Sequence, residues 1–284
     1  MKLTDVTSVG RTIDPHYPTN RAIAILTLLI TVAAALWQRL SAGQPWLASA
    51  TWGLQAGLTI FLTWALCREL DPDHPLGAFL AAALALPTLY LWGLPQLNVA
   101  VWLIIVTRVV NRTVGLPAGL LDALGLLAFS TWLSWQGNWG FGAVTALAFL
   151  LDALLPHPAR RHLLFALLTA VATVVAAFLG TAPAPSGALS PTGGLVALAL
   201  SLPFLPVIIA SRSIESLGDH TDQPLTPTRV QTAQALALLI GIETALLGGP
   251  SAILQLTPLW AATLGATLTW LTKNLLTHLP SRQP

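Results

Sequence analysis

Three short polar stretches, set in an otherwise apolar chain, hold most of the side chains able to bind or transform a ligand. The first reads Arg68-Glu69-Leu70-Asp71-Pro72-Asp73-His74-Pro75. Three carboxylates and an imidazole this close together suit Mg²⁺, which takes oxygen ligands and commonly bridges to substrate phosphates. The second, from Arg212 to Arg229, is the longest charged connection, and its Glu215, Asp219, His220 and Asp222 exceed what capping one helix requires. Glu69, Asp71, Asp73, His74, Glu215, Asp219, His220 and Asp222 therefore form a candidate metal or phosphate site. Their plainer roles are a helix cap for the first stretch and a solvated loop for the second.

The third stretch groups Arg108, Asn111 and Arg112, a candidate anion-binding set because paired guanidiniums suit phosphate. The plainer expectation is an ion pair from Arg108 to Asp122, one turn inside the next helix, and another from Asp152 to Arg160 or Arg161. Glu243, in ALALLIGIETALLGG, stands far from both charged ends of its run. It is the candidate intramembrane proton or cation site, with Gln55, Thr59 and Thr63 as candidate partners.

Some chemistry is disfavoured by what is missing. The six histidines, His16, His74, His157, His162, His220 and His278, all fall in turns or at helix ends, where axial ligation of haem is not expected. The single cysteine, Cys67, cannot form an intrachain disulfide or an iron–sulfur site. No HExxH, P-loop, dinucleotide-binding glycine pattern or serine nucleophile elbow is present.

If the two acidic stretches meet, they are similar to the paired aspartate-rich cytoplasmic motifs of the UbiA-type membrane prenyltransferases. That resemblance implies Mg²⁺ on Asp71, Asp73, Asp219 and Asp222, a prenyl or lipid phosphate as substrate, and Arg108 and Arg112 on its phosphate. The likeness is confined to these two loops. There is no Asn-Asp-x-x-x-Asp string, and the second cluster follows the eighth helix where the sixth would be expected. It supplies an analogy for mechanism.

The elements that must position these groups are membrane helices. Of 284 residues, 55% are hydrophobic and only 8% charged, against about 25% charged in soluble domains. Lipid accepts such an exterior, and helices satisfy their own backbone groups there. The apolar runs are continuous, without the period-two alternation of a membrane barrel. They predict an all-α polytopic bundle of about ten helices near 22–37, 46–67, 76–92, 95–110, 117–135, 139–155, 162–181, 193–211, 229–248 and 252–276. A tail of residues 1–21 precedes this single domain of residues 22–276, and a tail of residues 277–284 follows it.

Orientation comes from the basic residues, which collect on the cytoplasmic side of membrane proteins. With a cytoplasmic N-terminus, the inside segments hold Lys2, Arg11, Arg21, Arg68, Arg108, Arg112, Arg160, Arg161, Arg212, Arg229, Lys273 and Arg282, and the outside segments only Arg39. Both termini are then cytoplasmic, in a plasma (inner) membrane. Trp37, Trp46, Trp92, Trp132, Trp135 and Trp139 fall at the outer ends as headgroup anchors, and the linker from Thr181 to Gly193 carries no charge. The net charge of +2 serves orientation, so nucleic acid is not an expected partner.

Prolines recur near the starts of the odd-numbered helices, in Asp14-Pro15-His16-Tyr17-Pro18, Asp71-Pro72-Asp73-His74-Pro75, Pro117, Pro156-His157-Pro158 and Pro224-Leu225-Thr226-Pro227. This suggests five parallel helical hairpins, with the neighbouring acids as caps. Gly53 with Gly57, and Gly115 with Gly119, have the spacing of close helix contacts.

The sequence leaves three functions open. The first is a subunit or scaffold of a membrane assembly, with the bilayer and other membrane subunits as partners. The second is a cytoplasmic-face enzyme using Mg²⁺ on a lipid or prenyl phosphate, and the third a small-solute transporter working through Glu243.

Overall fold

The computed structural model describes residues 7–11, 13–181 and 189–278. Lys2, Arg282 and the middle of the Thr181–Gly193 linker lie outside them. The described elements are helical, with one isolated β-bridge between Leu217 and Pro224. In chain order they are α1 (Pro18–Ser41), α2 (Trp46–Leu70), α3 (Gly77–Leu91), α4 (Leu97–Asn111), α5 (Leu120–Gln136) and α6 (Gly140–Leu154). After these come α7 (His162–Leu179), α8 (Pro191–Ser201), α9 (Leu205–Ala210), α10 (Pro227–Gly248), α11 (Pro250–Gln255) and α12 (Thr257–His278).

Five stretches are long and apolar enough to cross a membrane: α1, α2, α7, α10 and the combined run Pro191–Ala210. That run is not one regular helix, because a 3-10 turn at Leu202–Phe204 separates α8 from α9. Pro203 and Pro206 lack the amide hydrogens that continuation would need. Gly249, at φ +72°, likewise separates α10 from α11, a backbone setting that L side chains resist.

The helices do not pair as five successive hairpins. α3 packs on α2 and α12, α7 packs on α6 and α5, and α4 lies among α2, α6 and α10. The acids beside the prolines are not caps either, since α1 and α3 have no side-chain N-cap. Proline does open α1, α8 and α10 as expected of its fixed φ.

Polarity is distributed inside out. Leu28, Leu29, Leu164, Leu167, Val171, Val174 and Phe178 are exposed on α1 and α7, whereas Glu69, Asp152, Arg229 and Gln234 are buried. Apolar patches of this extent suit a surface that lipid covers. Gly53 and Gly57 do bring α1 close, for a Cβ at Gly53 would strike the Thr31 carbonyl and one at Gly57 the Thr31 hydroxyl. Gly115 and Gly119 instead lie in the α4–α5 connection, so their spacing reflects no helix contact.

Candidate functional site

The C-terminal ends of α2, α4 and α6 meet the first turns of α7 and α10, and each helix end leaves carbonyls without intrahelical partners. Polar side chains meet that need. Asn111 donates to the Glu69 carbonyl at 3.0 Å and Gln234 to that of Leu70 at 2.6 Å. Arg229, 2% exposed, donates to the carbonyls of Val110 (3.0 Å), Asp152 (3.2 Å), Pro156 (2.8 Å) and His157 (3.3 Å).

Two buried carboxylates organise this end. Asp152 accepts from Arg112 Nε at 2.8 Å and Nη2 at 2.9 Å, from Arg229 Nη1 at 2.7 Å, and lies 2.6 Å from His162 Nδ1. Glu69 accepts from Arg108 Nε at 2.9 Å and from the Thr113 hydroxyl, and Arg11 approaches it at 3.6 Å. These pairings correct two expectations. Arg108 pairs with Glu69, while Asp122 accepts from Thr7 and from the amide and hydroxyl of Ser8. Asp152 binds Arg112 and Arg229, while Arg161 donates to the Ala118 carbonyl.

The two acidic stretches do meet, through backbone and hydroxyl donors. Asp73 accepts from the amides of Glu215 (3.2 Å) and Ser216 (2.9 Å) and from the Ser216 hydroxyl (2.6 Å). Asp219 pairs with Arg11 at 2.6 Å. Asp71 lies 2.8 Å from His74 Nδ1, which pulls the His74 pKa above its ordinary value, and Lys273 stands 3.1 Å from the other ring nitrogen. Glu215 and Asp222 are exposed. Among the described residues, no three His, Cys, Asp or Glu side chains gather as a metal would require.

Glu243 is held at one end of the helical bundle. It lies beside the α5–α6 turn, 3.4 Å from Asn138 Nδ2, and a Cβ on Gly140 would collide with its carboxylate. Thr59 and Thr63 bond instead within their own helix, to the carbonyls of Gln55 and Thr59.

A groove of about 220 Å³ runs between α2 and α4, with Arg11, Arg68 and Arg108 at one end and an apolar wall below. Phe61, Leu62 and Trp64 of α2 face Val101, Ile104 and Ile105 of α4 there. Seven residues separate Phe61 from Arg68, so the wall reaches about 10 Å below the guanidiniums. Arg11 is paired with Asp219 and Arg108 with Glu69. Among the described residues Arg68 makes no ion pair. It donates to Asn20 at 3.3 Å, lies 5.1 Å over the Trp64 ring, and leaves its buried Nε without a partner. Sequence reasoning named neither Arg68 nor Arg11 as a ligand group. Neighbouring charge along the chain gave no signal for Arg68, because the pairing that takes Glu69 away from it comes from Arg108, 39 positions on.

A second cavity of about 300 Å³ adjoins Asn111, Arg112 and Arg229. Arg229 has all five of its donors directed at protein oxygens, so it has none to offer a ligand in this cavity. The fold and site define a class no finer than a helical protein fit for a membrane, with a basic, ion-paired end. Among known proteins, no family model, curated protein or solved structure matches the chain.

Proposed function

We propose that this is a multi-pass membrane protein whose basic end binds an anionic amphiphile, a lipid bearing a phosphate, in the groove between α2 and α4. The observation that carries the reading is the surplus charge of Arg68, held at the polar mouth of an apolar groove. A phosphate there meets a guanidinium with a free donor, and the chain below meets hydrocarbon, which the hydrophobic effect favours.

The topology belongs to the same proposal. Ten crossings place the basic end in the cytoplasm, with both termini inside and the plasma (inner) membrane around the bundle. Pro191–Ala210 counts as one crossing and α11 with α12 as another. α3, α4 and α6, at 15 residues each, measure about 22 Å against roughly 30 Å of hydrocarbon. Their flanking turns complete the crossing.

A subunit role in a membrane assembly is the second reading. It is favoured by α1, whose apolar stretch is only 6% buried within the protein, a face that a partner helix or lipid covers equally well. Mg²⁺ chemistry on the same ligand gains nothing from the positions of Asp71, Asp73, Asp219 and Asp222, and transport gains little from Glu243 beside an outer turn.

Native mass spectrometry of the protein in mixed micelles with phosphatidic acid or phosphatidylcholine tests the reading. One phosphatidic acid should be retained per chain. Arg68→Gln should weaken retention about tenfold or more, since a hydrogen bond to a charged group contributes about 1.5–3 kcal/mol. Equal retention of the neutral lipid, or an unchanged Arg68→Gln variant, would overturn it.

A further inference from the structure

We infer that the amphiphile carries a neutral polyhydroxyl headgroup, a sugar or polyol esterified to its phosphate, seated in the cavity between the start of α1 and the loop at His220. The inference rests on the amphiphile reading above and adds the identity of the head.

The groove does not stop at its arginines. A cavity of about 290 Å³ adjoins it, and Arg11, Asn20 and Arg68 line both. A phosphate held by Arg68 at that junction has the apolar wall on one side and this second cavity on the other. The ligand that fits is a diester, with a tail running one way and a polar substituent the other.

The groups around the second cavity decide what that substituent is. Of its two carboxylates, Asp219 gives both oxygens to Arg11, at 2.7 and 2.6 Å, while Asp14 uses one, Oδ1, which accepts from the amide of His16 at 2.9 Å and lies 2.8 Å from its ring. Those two bonds to His16 hold the Asp14 pKa below the usual carboxylate range. Among the described residues Asp14 Oδ2 is the one carboxylate oxygen of this cavity without a hydrogen bond, and the guanidiniums of Arg11 and Arg68 on the same wall oppose an ammonium headgroup. The Asn20 amide already accepts from Arg68 and donates to the Asp14 carbonyl, so what remains is neutral: the Tyr17 and Thr19 hydroxyls and His220, whose buried Nε2 has no hydrogen-bond partner. A buried polar atom without a partner is costly. A ring nitrogen that can donate or accept, beside two hydroxyls that do both, matches a ligand whose own hydroxyls do the same.

The experiment is competitive binding to the full-length protein in neutral micelles. Four probes are compared: dodecyl phosphate, lysophosphatidylinositol, lysophosphatidylethanolamine and water-soluble glycerol 3-phosphate. Lysophosphatidylinositol should bind about tenfold more tightly than dodecyl phosphate, the equivalent of one or two additional hydrogen bonds. His220→Ala and, separately, Thr19→Val should remove that margin while leaving dodecyl phosphate binding unchanged. Equal binding of the inositol lipid and dodecyl phosphate refutes the headgroup inference alone, as does preference for the ethanolamine lipid. Glycerol 3-phosphate binding as tightly as the lysolipid would make the ligand a soluble polyol phosphate and refute it too. If neither dodecyl phosphate nor any lysolipid binds, the amphiphile reading itself fails.

Discussion

Replacing Asp152 with asparagine keeps the side chain's shape and removes one negative charge from the most enclosed ion cluster of the protein. The carboxylate is fully buried and faces four nitrogens, two from Arg112 and one each from Arg229 and His162, at 2.6–2.9 Å. An amide offers one oxygen and turns two hydrogens toward groups that are themselves donors. At least two of the four contacts are lost, each charge-assisted and contributing about 1.5–3 kcal/mol. That gives about 3–6 kcal/mol, in line with the roughly 3–5 kcal/mol for removing one partner of a buried pair. For a chain of this length, about 4 kcal/mol corresponds to a fall in Tm of roughly 10 °C. The eleven tryptophans make intrinsic fluorescence in detergent a suitable thermal readout. Asp152→Asn combined with Arg112→Met should lose less than the two single losses added, because the second change removes the cation left unpaired. A Tm within 2 °C of wild type, or strict additivity, would refute the account of Asp152 as the centre of the knot.

Two further outcomes follow from the polar end. His74 lies above its ordinary value of about 6.5 because Asp71 accepts from its ring, with Asp73 reinforcing and Lys273 opposing. The folded state therefore holds this proton more tightly than the unfolded chain. The stability it brings is fully present below about pH 6.5 and is lost as pH rises through the raised value. Wild type should exceed His74→Asn in Tm at pH 5.5 by a margin that narrows by pH 9, and a widening margin would reverse the sign. For orientation, Ser213→Cys and Ala42→Cys are placed singly in a Cys67→Ala background, both at exposed positions. A membrane-impermeant maleimide should label position 42 in right-side-out cells and position 213 only in inverted vesicles. Labelling of both from one side would refute the crossing between them.

The helical fold was legible because a bundle fit for lipid needs continuous apolar length, and the order of residues displays such runs directly. Interruptions inside a run were less so: Pro203 and Pro206 announce a break in principle, yet many membrane helices carry proline without one. The pairings were legible least of all. Arg108 was assigned to Asp122, 14 positions ahead, but Glu69 reaches it from 39 positions behind. Asp152 was assigned to arginines in the following turn, but it holds Arg229, 77 positions away. When several helix ends converge on one face, distance along the chain ceases to rank partners. Backbone turns then decide. Arg112, at φ 53°, is a left-handed cap on α4, and its side chain reaches Asp152 of α6.

That convergence also decides which arginine speaks for a ligand. The carbonyl ends of α2, α4 and α6 carry partial negative charge, and the cytoplasmic orientation proposed for this end independently favours basic residues. Arginine is therefore favoured here twice over without any ligand, and a count of cations on this face is not a sign of anion binding. Only the disposition of donors separates the two uses. Arg229 meets four carbonyls and a carboxylate, Arg112 a carboxylate and the His157 carbonyl, and Arg108 a carboxylate and the Val9 carbonyl. Arg68 has an amide oxygen, the face of a tryptophan and an unmatched buried Nε. If capping and orientation were its whole purpose, lysine would serve as well, because its flexible stem can carry the same charge to the headgroups without burying a donor. Arg68→Lys should thus preserve Tm yet lose much of the retained phosphatidic acid. Unaltered retention in that variant would return Arg68 to the structural arginines.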